Sequence, residues 1–363
     1  MMRLLFRRAV WLLVVASMLV GCGAVSQPVA TVRPPTSAPV LAADVACPDA
    51  LTPLSSPIVA GFGASVDLWL LNADGSAAAQ LTALPPTSAI SHPAWSPDQA
   101  TLAYSLVVPS ADPLLPWLQT GVICGFDRAT GTGRALVRGN VGETLSEPSW
   151  LSDATGLIVT RRRVLLNAQK QFQGEDVALV RYALAGGEPQ ILIANATTPA
   201  VAPDGTRLAY VSPNQQTGFP ALMIAALDGS NPALLGVPEP PFKSINQPRW
   251  SPDGKNIVFS ARGGPGSLGG AAPARSWLAR LFGVGTAAAH GEPGSLWLVG
   301  ADGQQLRPLI PTADDPLATW QPDSTTLLYS DWTNGLALLN PQDADTTALA
   351  SAEQFWALEW SSH

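Results

Sequence analysis

Acid, base and amide side chains recur at one place in a repeated pattern: His92, Glu147, Gln247, Arg249 and Glu359. Each stands one or three positions before a tryptophan, namely Trp95, Trp150, Trp250 or Trp360. Side chains alternate between the faces of an extended strand, so these residues share the face opposite the tryptophan. The same positions elsewhere in the pattern are Ala94, Ser149, Ala200 with Thr198, Thr319 with Leu317, and Ala357. Turned toward a common axis, this mixed set could hold a small polar ligand or a peptide end. A convergent acid/base pair there could also serve a saccharide lyase or hydrolase, with Glu147, Glu359 and His92 as the material for it.

Other chemistry finds little support. There is no Gly-x-Ser-x-Gly elbow, and the glycines from Gly263 to Gly270 lack the Lys-Ser/Thr of a phosphate-binding loop. His92, His290 and His363 are scattered and no Cys-x-x-Cys occurs, so neither a metal site nor a cofactor is expected. On these grounds the chain reads as a binding protein without catalysis.

The positioning elements come from the repeat itself. Copies of Pro-x-Trp-Ser-Pro-Asp-Gly begin at Pro93, Pro148, Pro199 and Pro248, with shorter versions around Trp320 and Trp360. Their Trp positions, one held by Val201, are spaced 55, 51, 49, 70 and 40 residues apart. A period of this length marks a repeat architecture. Each copy is followed by β-type runs, such as Leu208–Ser212, and then by an apolar strand closing on Asp-Gly, as at Asp228-Gly229 and Asp302-Gly303. Asp-Gly after an apolar run signals a tight hairpin. Four short antiparallel strands per unit make a propeller blade, and six copies make six blades. The chain ends on a first strand, Ala357 to Ser361, and the repeat region opens at Pro57–Phe62 on a second strand lacking a first. Pairing the two closes the ring and removes the open edge. The repeated aspartates, Asp98, Asp153, Asp204, Asp253 and Asp323, are expected to cap turns, and the tryptophans to pack between blades.

Two spacings leave extra length for loops, Val107–Gly121 and 261–293. Within the second, Trp277, Leu278, Leu281 and Phe282 fall on one face of a short helix, which either docks on a partner or lipid surface or folds back on its own blade.

The paired Trp-Ser-Pro-Asp-Gly turn and downstream Asp-Gly hairpin resemble the propeller repeat of the periplasmic protein TolB and its relatives, over most of residues 57 to 361. The resemblance implies an all-β six-bladed propeller, with the motif strand innermost and protein partners at the propeller face. The separate N-terminal α/β domain of that family has no counterpart here.

Arg3, Arg7 and Arg8 precede an apolar stretch, Ala9 to Val20, too short for an ordinary membrane span. It ends in Leu19-Val20-Gly21-Cys22, which resembles the lipobox of bacterial lipoproteins. That resemblance implies a signal peptide over 1–21, acylation of Cys22, and a propeller over 47–363 on the outer side of a membrane. Residues 22–46, rich in Pro, Ser and Thr, read as a tether. Cys47 and Cys124 then remain, as a disulfide in an oxidising compartment or as two separate buried thiols. The formal net charge of -7, about -10 after loss of the signal's arginines, argues against nucleic acid. A monomer with an envelope protein partner is expected.

Overall fold

The computed structural model describes residues 45–361 except 63–65, 86, 111–114, 116, 237, 239–240, 266–292, 333 and 351–354. Cys22, the signal and tether up to residue 44, and Trp277, Leu278, Leu281 and Phe282 lie outside the described residues.

The described residues form six four-stranded sheets and no helix. The first strands, β1 (Ile58–Phe62), β2 (Leu68–Leu71) and β3 (Ala77–Gln80), share a blade with the last, β24 (Phe355–Trp360). Blade one holds β4 (Ala89–Trp95), β5 (Thr101–Pro109), β6 (Gln119–Asp127) and β7 (Gly133–Arg138). Blade two holds β8 (Glu143–Trp150), β9 (Gly156–Leu166), β10 (Phe172–Ala183) and β11 (Gln190–Ala194). Blade three holds β12 (Thr197–Val201), β13 (Arg207–Pro213), β14 (Pro220–Ala226) and β15 (Ala233–Leu234). Blade four holds β16 (Phe242–Trp250), β17 (Asn256–Gly263), β18 (Gly294–Gly300) and β19 (Arg307–Ala313). Blade five holds β20 (Leu317–Trp320), β21 (Leu327–Asp331), β22 (Gly335–Leu339) and β23 (Thr346–Ala350). The innermost strands touch in ring order, β24 to β4 to β8 to β12 to β16 to β20 and back to β24.

Closure follows the terminal strands. β24 runs antiparallel to β1, with Ile58 opposite Trp360 and Gly61 opposite Ala357. Buried Val, Leu, Ile, Tyr and Phe side chains fill the spaces between neighbouring blades, as where Trp95, Tyr104 and Phe126 pack with Leu68 and Leu70. The motif tryptophans lock the seams. Trp150, Trp250 and Trp320 donate their Nε1–H to the carbonyls of Ala94, Ala200 and Arg249 in other blades, at 3.0, 2.9 and 3.1 Å. Where Val201 replaces tryptophan, its backbone N–H donates instead to Ser149 Oγ at 2.9 Å.

The motif aspartates are turn residues. Asp98, Asp153, Asp204, Asp253 and Asp323 each accept from the backbone N–H two residues on. Hydroxyl donors, Ser96 to Asp98, Thr155 to Asp153 and Ser251 to Asp253, lead in holding those three carboxyls below the ordinary value, and the backbone bond leads at Asp204. The Asp323 carboxyl is lowered too. For Asp323 the bonds outweigh a desolvation contribution that is larger than any single one of them.

Extra length falls partly where the sequence places it. β5 and β6 continue through Val108, Pro109, Gln119 and Thr120, so the Val107–Gly121 excess is strand at its two ends and leaves the blade as a loop between Pro109 and Gln119. The later insertion leaves after Gly263 and returns at Gly294. A third projection had no sequence expectation: β9 and β10 are 11 and 12 residues long and pair to Leu166 and Phe172.

Candidate functional site

The motif turns and the Asp-Gly hairpins share one end of the ring, here the motif face. Blade-to-blade connections and the β9–β10 tip occupy the far face, because antiparallel strands alternate direction within each blade.

His92, Glu147, Gln247, Arg249 and Glu359 all line one axial cavity of about 410 Å³. Thr198, Ser149 and Thr319 complete its polar wall. Pro97, Ser152, Pro203 and Pro252 of the motif turns, with the edges of Trp95, Trp150, Trp250, Trp320 and Trp360, line it toward the motif face. Leu317 and Ala357 are absent from it. Leu317 borders a separate cavity with Arg262 and Asp315, and Ala357 is buried in the core.

Simple alternation does not explain this selection. His92, Glu147, Thr198 and Gln247 have φ of 52, 57, 51 and 48°, the left-handed region that side-chain-bearing residues rarely adopt. Each is followed by proline: Pro93, Pro148, Pro199 and Pro248. Proline has no N–H to give the ladder, and in all four strands the register slips at this point. The result is a bulge that re-aims the preceding side chain. In β20 and β24, Ala318 and Leu358 replace the proline; β20 pairs without a slip, β24 pairs regularly from Ala357 to Trp360 and slips only before it, between Phe355 and Ala357, and Leu317 and Ala357 stay out of the cavity. The signal was present in the sequence as the prolines, which the alternation argument passed over.

Glu359 accepts from the backbone N–H of Trp95 at 3.3 Å and faces the Arg249 guanidinium at 3.6 Å. Burial pushes its carboxyl above the ordinary value, while Arg249 and the Trp95 N–H oppose that rise. Glu147 Oε2 accepts from Thr160 Oγ1 at 2.5 Å and from the Thr198 N–H at 2.8 Å. The His92 Nδ1 bonds Ser91 Oγ at 2.8 Å. Burial holds the His92 imidazole below its ordinary 6.5, with Glu147 opposing and Arg249 assisting. His92 is therefore neutral at pH 7. Arg249 pairs with Glu359, while Glu147 lines the same cavity with only neutral donors as partners, so the wall favours a ligand that brings a positive group to Glu147. Thr198 is 6 % exposed and its Oγ1 has no hydrogen-bond partner among the described residues. Buried polar atoms are normally paired, so this one marks a place for a ligand atom or water.

The described residues contain no group of three or more His, Cys, Asp or Glu able to hold a metal. Cys47 and Cys124 form a disulfide, with Cα atoms 5.6 Å apart, that ties the entering chain to β6.

No family model and no curated protein matches this chain. Among solved structures it is similar to TolB from Acinetobacter baumannii, at TM-score 0.58 and 16 % identity over 85 % of this chain and 67 % of that one. A nidogen/laminin complex chain matches at TM-score 0.53 and 11 % identity, over 83 % of this chain and 97 % of that one. An oligogalacturonate lyase in complex with manganese matches at TM-score 0.48 and 18 % identity, over 78 % of this chain and 70 % of that one. This last match and a peptidase from Mycobacterium tuberculosis correct one expectation. Proteins named as enzymes share the fold over part of their length, 70 % and 50 % of those two chains, so the expectation of no catalysis does not stand. At such identities the likeness carries fold, and no reaction passes to this chain with it. The chain folds as a TolB-like six-bladed β-propeller.

Proposed function

We propose that this propeller is a membrane-tethered, extracytoplasmic binding module whose axial cavity takes an amine-bearing polar ligand, most simply the free N-terminus of a peptide from an envelope protein. One observation carries the reading: four pre-proline bulges spend backbone strain to turn His92, Glu147, Thr198 and Gln247 into the same cavity. Strain of this kind, about 1–3 kcal/mol per residue, persists where the surroundings hold it and clusters at functional sites. Gln247 sharpens the point, since its side chain makes no hydrogen bond among the described residues yet keeps the strained geometry. Glu147 would accept the amine, Arg249 and Gln247 would meet carbonyl oxygens, and the tryptophan and proline edges would pack the aliphatic part. Tethering through acylated Cys22 rests on the Leu19–Cys22 box.

Calorimetry with trialanine and its N-acetylated form tests this reading on the full chain in detergent. Binding of the free amine at least tenfold tighter than the acetylated form is expected, and Glu147→Gln should abolish that preference. The mass of the peptide after incubation reports whether the pocket also turns it over. Equal affinity for the two forms, or no binding of either, contradicts the proposal.

The pH dependence has a definite sign. A histidine held below its ordinary value stays neutral at pH 7 and takes a proton only as pH falls below 6.5. A cationic His92 then repels the ligand amine, so affinity should decline as pH falls below 6.5, where the amine itself stays charged. His92→Gln should flatten that decline.

A further inference from the structure

The entering chain and four exposed apolar side chains meet at one edge. Val45 is the first described residue, and its carbonyl accepts from Nη1 of Arg138, the last residue of β7, at 2.7 Å. The chain therefore joins the propeller at the far face of blade one. Trp117, Val141, Leu165 and Phe172 are 52, 39, 40 and 55 % exposed. Their segments touch one another. A Cβ on Gly142 would stand 3.6 Å from the Leu118 side chain, Val164 donates its N–H to the Gly142 carbonyl at 3.0 Å, and Leu166 pairs with Phe172 across the hairpin.

Charge distinguishes this edge from the rest of an acidic chain of formal charge -7. Arg138, Arg162, Arg163 and Lys170 are exposed there. Asp176 takes up Arg163 at 2.8 Å and Arg161 at 3.0 Å, and Glu175 adds a second carboxylate. Arg162 has no ion-pair partner among the described residues. Exposed tryptophan and phenylalanine beside arginine and lysine is the composition of a surface that sits at the headgroup level of a bilayer.

We propose that this edge is the membrane-facing side of the propeller, with Trp117, Val141, Leu165 and Phe172 entering the interfacial layer and Arg138, Arg162 and Lys170 meeting anionic headgroups. The proposal rests on the tether reading above. The 23 residues from Cys22 to residue 44 span at most about 80 Å, which holds the edge near the lipid at high local concentration. Docked this way, the propeller points its motif face, and with it the axial cavity, away from the membrane.

The full acylated chain carrying Phe172→Cys, labelled with bimane, tests the assignment in phosphatidylglycerol-containing vesicles doped with nitroxide lipid. Ala73→Cys, in an exposed turn of the motif face, is the control. Quenching at position 172 at least fivefold above that at position 73 is expected. Absent or equal quenching, with the acyl mass present and the protein floating with the vesicles, overturns the orientation while leaving the anchor intact. A blue-shifted but unquenched label at 172 marks protein contact and overturns the lipid assignment. A missing acyl mass at Cys22 overturns the tether reading and this face with it.

Discussion

Deleting residues 355–363, and with them β24, is expected to abolish the folded propeller rather than weaken it. β24 is the inner strand of the closing blade, and its loss leaves β1 as an unpaired edge facing the axis. Phe355, Ala357 and Leu358 are each at most 5 % exposed, so three core side chains go with it. Burying a Phe or Leu is worth about 1.5–3 kcal/mol. Each lost ladder bond removes about 1 kcal/mol more, and β1 pairs with β24 over the whole of its length. The total approaches the roughly 5–15 kcal/mol that stabilises a typical domain. The strand also supplies Glu359, whose carboxylate holds the Trp95 N–H across the blade seam. Loss of the cooperative near-ultraviolet dichroism transition, with aggregation through the open edge, is the expected readout. A deletion variant that melts cooperatively like the parent would show that closure is dispensable.

Breaking the Cys47–Cys124 disulfide should produce the next largest change. The bridge closes a loop of 77 residues in sequence separation, and chain entropy for a loop of that length gives about 4.5 kcal/mol. It joins the entering segment to β6 beside the closing blade. Cys47 and Ala50 pack against the core cluster, and the Gly133 N–H donates to Asp49 at 2.7 Å. Urea unfolding of the Cys47→Ser, Cys124→Ala double variant should show a lowered midpoint, and reductant should move the parent to the same value. An unchanged midpoint in both would mean the unfolded chain gains nothing from release.

Much of the architecture was legible because it rests on short-range chemistry that repeats. The Asp-Gly hairpins and the Asp turns advertise themselves by residues that only those turns favour. The terminal strands betray closure because each lacks its own partner. The long β9–β10 hairpin was not legible. Its outer half is built from Arg161 to Arg163 and Gln171 to Gly174, which carry no alternating apolar pattern, and Arg161 and Arg163 pair with Asp176 across the ladder.

At the candidate site the residue set was legible and its cause was not. Alternation applied evenly to all six innermost strands also nominates Leu317 and Ala357, which the cavity excludes. What separates the strands is proline before the last two residues of the pattern, present in four and replaced by Ala318 and Leu358 in the others. A left-handed residue ahead of a proline has no period, so periodicity could not find it. The exclusion of catalysis failed for a related reason. A missing motif argues only against the folds in which that motif works, and the Gly-x-Ser-x-Gly elbow belongs to a strand-to-helix turn that no propeller blade contains.

Gln247→Gly separates the strain of the bulge from its use in ligand binding with one substitution. Glycine adopts φ of 48° without penalty, and no hydrogen bond of Gln247 among the described residues is lost. If the bulges exist to present side chains to a ligand, the variant should unfold at equal or higher urea, by up to about 1 kcal/mol, and bind trialanine at least tenfold more weakly. A variant that loses stability and keeps its affinity would contradict the account, since the left-handed residue would then serve the fold and not the cavity.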